Sequence, residues 1–140
     1  MTMPRGIRNN NPGNLRRSRD VWKGLSKEQA DPEFCQFITA HDGLRALAIV
    51  LLNYQKRHKL GTVRKILTRF APASENNLSA YIDSVCTRLG KWPDDQIDLM
   101  GNRQWLADLM SAIVRHENGI QPYSETEYYR AVDAAINRGE

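Results

Sequence analysis

Residues 112–124 read AIVRHENGIQPYS, and this is the most informative stretch of the sequence. Apolar residues at helical spacing lead into Glu117, Gly119 is a typical helix stop, and a Pro-Tyr-Ser turn follows. The pattern predicts a carboxyl group at the end of a rigid helix, at the mouth of a cleft. A partly desolvated carboxyl group there can protonate a leaving oxygen near neutral pH, which makes Glu117 the candidate general acid. A plain helix C-cap would give the same local pattern, so that alternative stays open here.

Upstream and downstream of this stretch, apolar periodicity predicts further helices. Residues 4–40 are rich in Asn, Gly, Arg and Pro, and we expect turns with one or two short strands there, the best at 34–38. The predicted helices run from an Asp42 cap to about His58, from a Thr62 cap to Phe70, from an Asn77 cap to Gly90, from Pro93 to about Met100, from an Asn102 cap to Glu117, and from a Ser124–Glu127 capping box to Gly139. The fold class predicted is α+β, mainly α, with residues 1–140 as a single domain.

Composition narrows the kind of partner. The 140 residues are 41% hydrophobic and carry a formal charge of +4, which favours an anionic partner such as nucleic acid, a membrane surface or a cell-wall polymer. No run of 18 apolar residues exists, so we expect no membrane insertion, and residues 1–8 lack the apolar core of a secretory signal. Cys35 and Cys86 sit among apolar neighbours without metal-type spacing, which predicts buried free thiols.

A second distinctive stretch, RGIRNNNPGNLR at residues 5–16, places three Asn before a Pro-Gly turn. Planar amide and guanidinium groups read sugars, amides and carboxylates, so the stretch supplies candidate substrate-binding residues. These are Arg8, Asn11, Asn14 and Arg16. An ordinary surface turn is the alternative reading.

Other candidate site residues are scattered along the chain. Trp22, in a basic polar loop, is the best candidate for stacking on a sugar, and the Tyr81 hydroxyl can reach a cleft from a helix face. Gln121 and Tyr123 follow Glu117 closely enough to contact substrate. Glu75, beside Asn76, is either a loop charge near a helix N-terminus or a second catalytic carboxylate. The three His residues share no ligand spacing with Cys or carboxylates, so we expect no metal and no cofactor.

The stretch Val114–Ser124 resembles the catalytic helix end of goose-type lysozymes and soluble lytic transglycosylases, with Asn118 where those proteins have Ser. A wider resemblance, to small phage-encoded lysozyme-like proteins, covers nearly the whole chain. Its motifs stand here as RGIRNNNPGNLR (5–16), WKG (22–24), GLRA (43–46), APASENN (71–77), YIDSV (81–85) and HENG (116–119). The resemblance implies a muramidase or lytic transglycosylase that cleaves the β-1,4 bond between N-acetylmuramic acid and N-acetylglucosamine.

The order of these motifs departs from that of goose-type lysozymes, in which the catalytic Glu helix comes first. Here the Glu helix comes after the parts that resemble their later elements, which suggests a circular permutation. Without a permutation, Glu75 becomes the better catalytic candidate.

The expected ligand is therefore the peptidoglycan glycan strand. A non-enzymatic peptidoglycan-binding or virion module is the main rival; a nucleic-acid-binding protein is a weaker one, because no recognition-helix motif is visible. We expect a monomer, made in the bacterial cytoplasm and brought to the cell wall or periplasm by a holin, a virion or a secretion system. An immunity protein and a phage or secretion-system carrier are candidate protein partners.

Overall fold

The computed structural model describes residues 3–71 and 77–138, and within these ranges the protein is mainly helical. Its helices are α1 (Arg5–Arg8), α2 (Ala40–His58), α3 (Val63–Phe70), α4 (Leu78–Leu89), α5 (Arg103–Asn118) and α6 (Glu125–Ile136). The helix α5 packs against α1, α2, α4 and α6, and α2 packs along α6. Buried aliphatic residues from all the longer helices form one continuous core, and both cysteines are free and buried, as predicted.

Most helix boundaries follow local capping chemistry. The side chains of Thr62, Asn77, Asn102 and Ser124 each accept a backbone N–H in the first turn of a helix, and the Ser124–Glu127 capping box is complete. Gly90 and Gly119 end α4 and α5 in the left-handed conformation, with φ values of 66° and 75°. These caps were predicted and are confirmed.

Two boundary predictions need correction. Thr39, and not Asp42, caps α2, because its hydroxyl accepts the Asp42 N–H and places the Asp42 carboxylate in the first turn. The last helix ends at Ile136 with Asn137 as its C-cap, ahead of the predicted stop at Gly139, which lies outside the described residues.

The predicted short helix from Pro93 to Met100 does not form. The segment is irregular, with turns at 93–94 and 99–100. It is fixed against α2 because the Gln55 amide donates to the Ile97 carbonyl and the Gln55 oxygen accepts the Leu99 N–H. Thr62 and Gln96 form an isolated β-bridge beside it. Contacts distant in sequence therefore override the local helical signal.

The predicted strand at 34–38 is reduced to isolated bridges in residues 3–71. Phe34 bridges Arg16 and Phe37 bridges Leu25. The Asn11 amide donates to the Cys35 carbonyl and the Asn10 amide to the Phe37 carbonyl, so side chains occupy acceptors that a neighbouring strand would use. The region near the N-terminus is thus irregular, as expected, but has less strand than predicted.

No helix among residues 3–71 and 77–138 is both long enough and apolar enough to cross a bilayer.

Candidate active site

Glu117 lies in the last turn of α5 and is half-buried. It lines an open cleft of about 560 Å³, whose other walls include Asn14, Arg16, Phe34, Tyr54 and Arg69. The buried face of α5 fixes the helix in the core, so the carboxyl group at its end has a defined position. The sequence-based prediction of a carboxyl group at a helix end in a cleft is confirmed.

Each oxygen of the Glu117 carboxylate accepts one hydrogen bond from a neutral side chain. The amide nitrogen of Asn14 donates to Oε1 at 3.0 Å, and the Tyr81 hydroxyl donates to Oε2 at 2.8 Å. Two donors from different elements fix both the position and the plane of the carboxyl group.

Tyr81 is 0% exposed, and its ring stacks on that of His116 with the centroids 3.8 Å apart. Burial, reinforced by the nearby Glu117 carboxylate, raises the pKa of the Tyr81 hydroxyl well above its ordinary range. Tyr81 therefore remains protonated and donates to Glu117 throughout the physiological pH range.

Asn14 reaches Glu117 because its backbone is left-handed, with φ 51°, a conformation that Asn tolerates better than most residues. Its amide oxygen points the other way, toward Gly6, and so does that of Asn118, whose amide nitrogen donates to the Pro12 carbonyl at 2.8 Å. A Cβ added to Gly6 would lie 2.5 Å from the Asn118 oxygen and 2.7 Å from the Asn14 oxygen. Glycine at this position lets the two amides pack and keeps the Asn14 nitrogen directed at Glu117.

The neighbouring asparagines build the scaffold of the N-terminal segment. Asn11 is 0% exposed and bonds the backbone of Leu15 and Cys35, so it does not face the cleft as we predicted. Asn9 donates to the Asp31 carboxylate, as does Arg5 through two bonds of 2.7 and 2.6 Å. The side-chain amides of Asn9 and Asn11 already donate to acceptors within the protein, so they are not available to bind a substrate.

Asp31 is the centre of that network and was not singled out from the sequence. Its carboxylate also accepts the backbone N–H groups of Glu33 and Phe34. The Arg5 guanidinium, followed by these hydrogen bonds, holds the pKa of Asp31 well below its usual range. No local motif marks this pair, because Arg5 and Asp31 are separated by 26 positions.

The walls of the cleft include three residues that sequence reasoning missed, Phe34, Tyr54 and Arg69. The guanidinium of Arg69 lies 5.3 Å from the centre of the Tyr54 ring, and that of Arg16 lies 5.1 Å from the centre of the Phe34 ring. The cleft therefore combines aromatic surface and positive charge on both sides. The helical spacing of the sequence could not predict this lining, because the lining depends on how α2 and α3 pack against the N-terminal segment.

Several predicted substrate-binding residues lie away from the cleft. Arg8 is exposed and donates to the Met3 carbonyl, and Trp22 lines a separate groove. Gln121 bonds the Tyr123 backbone and accepts the Tyr128 hydroxyl, beside another depression. Tyr123 packs edge-on against Tyr128, and burial raises the pKa of its hydroxyl to about 12. Glu75 and Asn76 lie outside the described residues.

Glu117 is the one carboxylate among the cleft-lining residues that the structure describes. Of the predicted site residues, the structure brings together Glu117, Asn14, Arg16 and Tyr81. This arrangement can hold one carboxyl group in place for proton transfer to a polar ligand bound in the cleft.

Comparison with known proteins gives one informative relative. No protein-family model matches the chain. The chain is 33% identical over 126 residues to Protein P5 of Pseudoalteromonas phage PM2, an alignment that covers 88% of this chain and 76% of that protein. The chain belongs to the same family as this phage protein.

Proposed function

We propose that the protein is a lysozyme-like glycosidase that cleaves peptidoglycan at the β-1,4 bond between N-acetylmuramic acid and N-acetylglucosamine. The observation that carries the proposal is the Glu117 carboxyl group, half-buried at a helix end and held by Asn14 and Tyr81 inside an open cleft. An open cleft suits a polymer that enters and leaves at both ends.

In this proposal Glu117 acts first as an acid and then as a base. Its proton passes to the bridging oxygen as the bond from the anomeric carbon to that oxygen breaks. The Glu117 carboxylate then takes a proton from the attacking hydroxyl group as the new bond to the anomeric carbon forms. Asn14 and Tyr81 are positioning residues that orient the carboxyl group and stabilise its ionised form between the two steps.

The attacking hydroxyl distinguishes two reactions. In hydrolysis it belongs to water, and an inverting enzyme needs a second carboxylate roughly 6.5–9.5 Å from the acid. In transglycosylation it is the sugar's own 6-hydroxyl, and one Glu suffices. Transglycosylation is favoured because Glu117 is the one carboxylate among the described cleft residues. Glu75 is the candidate second carboxylate for hydrolysis.

A permuted lysozyme-like order is part of the proposal. It is supported by the contact between the N-terminal segment and the end of α5, where Asn118 donates to Pro12 and packs beside Gly6. In a permuted lysozyme the segment after the catalytic helix would be moved to the start of the chain, and here the start of the chain lies against that helix end.

The phage relative supports a phage or prophage context for the protein. In this proposal the enzyme reaches the wall with the help of a holin, a virion or a secretion system. The proposed ligand is the peptidoglycan glycan strand. The proposed oligomeric state is a monomer.

Mass spectrometry of purified peptidoglycan after digestion tests the proposal. A new 1,6-anhydro end indicates transglycosylation, and a new reducing end indicates hydrolysis. Glu75→Gln should retain most activity in the first case and lose most of it in an inverting hydrolase. Undigested peptidoglycan with bound, folded protein would overturn the proposal in favour of a wall-binding module.

A further inference from the structure

A second groove lies next to the cleft and shares a wall with it. Its volume is about 490 Å³, and we call it the basic groove because Lys23, Arg45 and Arg57 line it. Tyr54 lines both the cleft and the basic groove. The cleft and the basic groove therefore adjoin each other at Tyr54.

Lys23, Arg45 and Arg57 form no ion pair with any residue in the described parts of the chain. Arg138, the fourth cation in the lining, donates to the Ala135 carbonyl and to the side-chain oxygen of Asn53. Among the described residues, Asp20 is the one carboxylate in the lining, and it accepts a hydrogen bond from the Ser18 hydroxyl at 3.2 Å. The groove thus presents a net positive charge on the side of the molecule that adjoins Glu117.

The dipole of α2 stabilises only one of the two cations that this helix contributes to the basic groove. Arg57 lies in the last turn of α2, where the dipole stabilises a cation. Arg45 is half-buried in the first half of the same helix, where the dipole gives a cation no support. A guanidinium group partly withdrawn from water and without a protein carboxylate gains most from an external anion.

The remaining lining indicates what kind of molecule carries the anion. The half-buried ring of Trp22 lies in the basic groove, and Tyr54 forms the shared wall. On the two sides of Tyr54, Arg69 lies over its ring at 5.3 Å and His58 meets it edge-on at 6.3 Å. Amphipathic rings beside cationic hydrogen-bond donors suit a sugar that bears a carboxylate.

We propose that the basic groove binds the free lactyl carboxylates of muramic acid units that carry no stem peptide, on the glycan strand whose scissile bond lies at Glu117. The identity of the strand rests on the proposed function, whereas the anion site itself requires no cleavage. Contacts in the cleft and in the groove act on one strand, so each raises the effective concentration of the strand at the other.

The test measures binding in the Glu117→Gln protein, which keeps the ligand intact. One ligand is a peptide-free glycan strand, whose muramic acid units carry free lactyl carboxylates; the other is a neutral oligomer of N-acetylglucosamine of equal length. The groove variant combines Lys23→Gln, Arg45→Gln and Arg57→Gln. The matched control combines Lys27→Gln, Lys65→Gln and Arg130→Gln, three exposed cations outside the groove, and both sets lower the formal charge from +4 to +1.

The groove variant should bind the acidic strand on the order of tenfold more weakly. Its affinity for the neutral oligomer should change little, and the control should bind both ligands normally. An equal loss on both ligands, or an equal loss in the control, would overturn the inference. If the triple variant melts early, Lys23→Gln with Arg57→Gln tests the same point, because both side chains are exposed.

The two proposals fail in different ways. If the protein binds acidic strands selectively but cleaves no wall, the proposed anion site is supported and the proposed glycosidase activity is contradicted. Wall cleavage by a protein whose groove variant binds acidic strands normally would do the reverse.

Discussion

Asn14 and Glu117 are 103 positions apart in sequence, yet the Asn14 amide nitrogen lies 3.0 Å from the Glu117 carboxylate. One residue comes from the irregular N-terminal segment and the other from the end of α5. The Asn-rich turn therefore supplies one of the two donors that orient the Glu117 carboxylate.

Asn14→Gly should lower the cleavage rate about 10- to 100-fold, because a hydrogen bond to a charged group contributes about 1.5–3 kcal/mol. Glycine accepts the left-handed backbone at this position, so the change removes the amide without backbone strain. Asn10→Gly is the matched control: Asn10 has the same φ of 51° but donates to the Phe37 and Ile38 carbonyls. The control should melt earlier with its rate per folded molecule retained. Equal cleavage rates in the two variants would show that Asn14 does not assist Glu117.

Tyr81→Phe should lower the rate about tenfold or more, since the buried ring keeps its packing and only the donor to Glu117 is lost. Tyr128→Phe removes another buried hydroxyl, which lies away from the cleft and donates to the Gln121 side-chain oxygen at 2.6 Å. It should cost about 1 kcal/mol of stability without a comparable loss of rate. Wall-clearing rates with thermal melts compare the two. A Tyr81→Phe protein as active as Tyr128→Phe would show that this hydroxyl does not assist Glu117.

Gly6→Ala should lower both stability and activity. The backbone of α1 accepts alanine, so the cost comes from the added methyl group against the Asn14 and Asn118 oxygens, about 1–3 kcal/mol of overpacking. Gly61→Ala is the comparison, because its Cβ would meet only the end of the exposed Gln96 side chain. Denaturant unfolding and clearing rates measure both effects. Unchanged stability and activity in Gly6→Ala would mean that the two amides do not need this close approach.

The sequence was most informative where structure depends on neighbours along the chain. The caps Thr62, Asn77, Asn102 and Ser124 and the stops Gly90 and Gly119 each rely on hydrogen bonds or backbone angles within a few residues. The same locality placed Glu117 at a helix end. The irregular conformation of residues 93–100 was missed because Gln55, more than 40 positions from Ile97 and Leu99, fixes it.

The site was predictable in part for the same reason. Glu117, Asn14, Arg16 and Tyr81 stand in recognisable motifs, and the structure brings these four together. Asn11 stands in the same motif as Asn14, but its side chain points into the core and bonds the backbone, which composition could not distinguish. Tyr54 and Arg69 enter the cleft only through the packing of α2 and α3.

Acid should weaken the fold partly through Asp31. Its pKa is lowered in the folded protein, so its contribution to stability is fully present above the ordinary Asp pKa of about 4, decreases progressively at lower pH, and is lost only as pH falls through the lowered pKa. Asp31→Asn should therefore destabilise the protein more at pH 7 than at pH 3. Denaturant unfolding at both pH values, compared with Asp20→Asn at an exposed site, measures this. A deficit in Asp31→Asn that is equal at the two pH values would contradict the assignment of the acid sensitivity to Asp31.

The role of Glu117 is best tested by the rate at which purified Glu117→Gln protein clears a suspension of peptidoglycan. We predict a loss on the order of 10³-fold or more, with a nearly unchanged melting temperature, since Gln keeps the shape of the side chain. Glu28→Gln, at an exposed site outside the cleft, should clear walls like the unmodified protein. A folded Glu117→Gln protein that clears walls at the rate of Glu28→Gln would contradict the claim that Glu117 performs the chemistry.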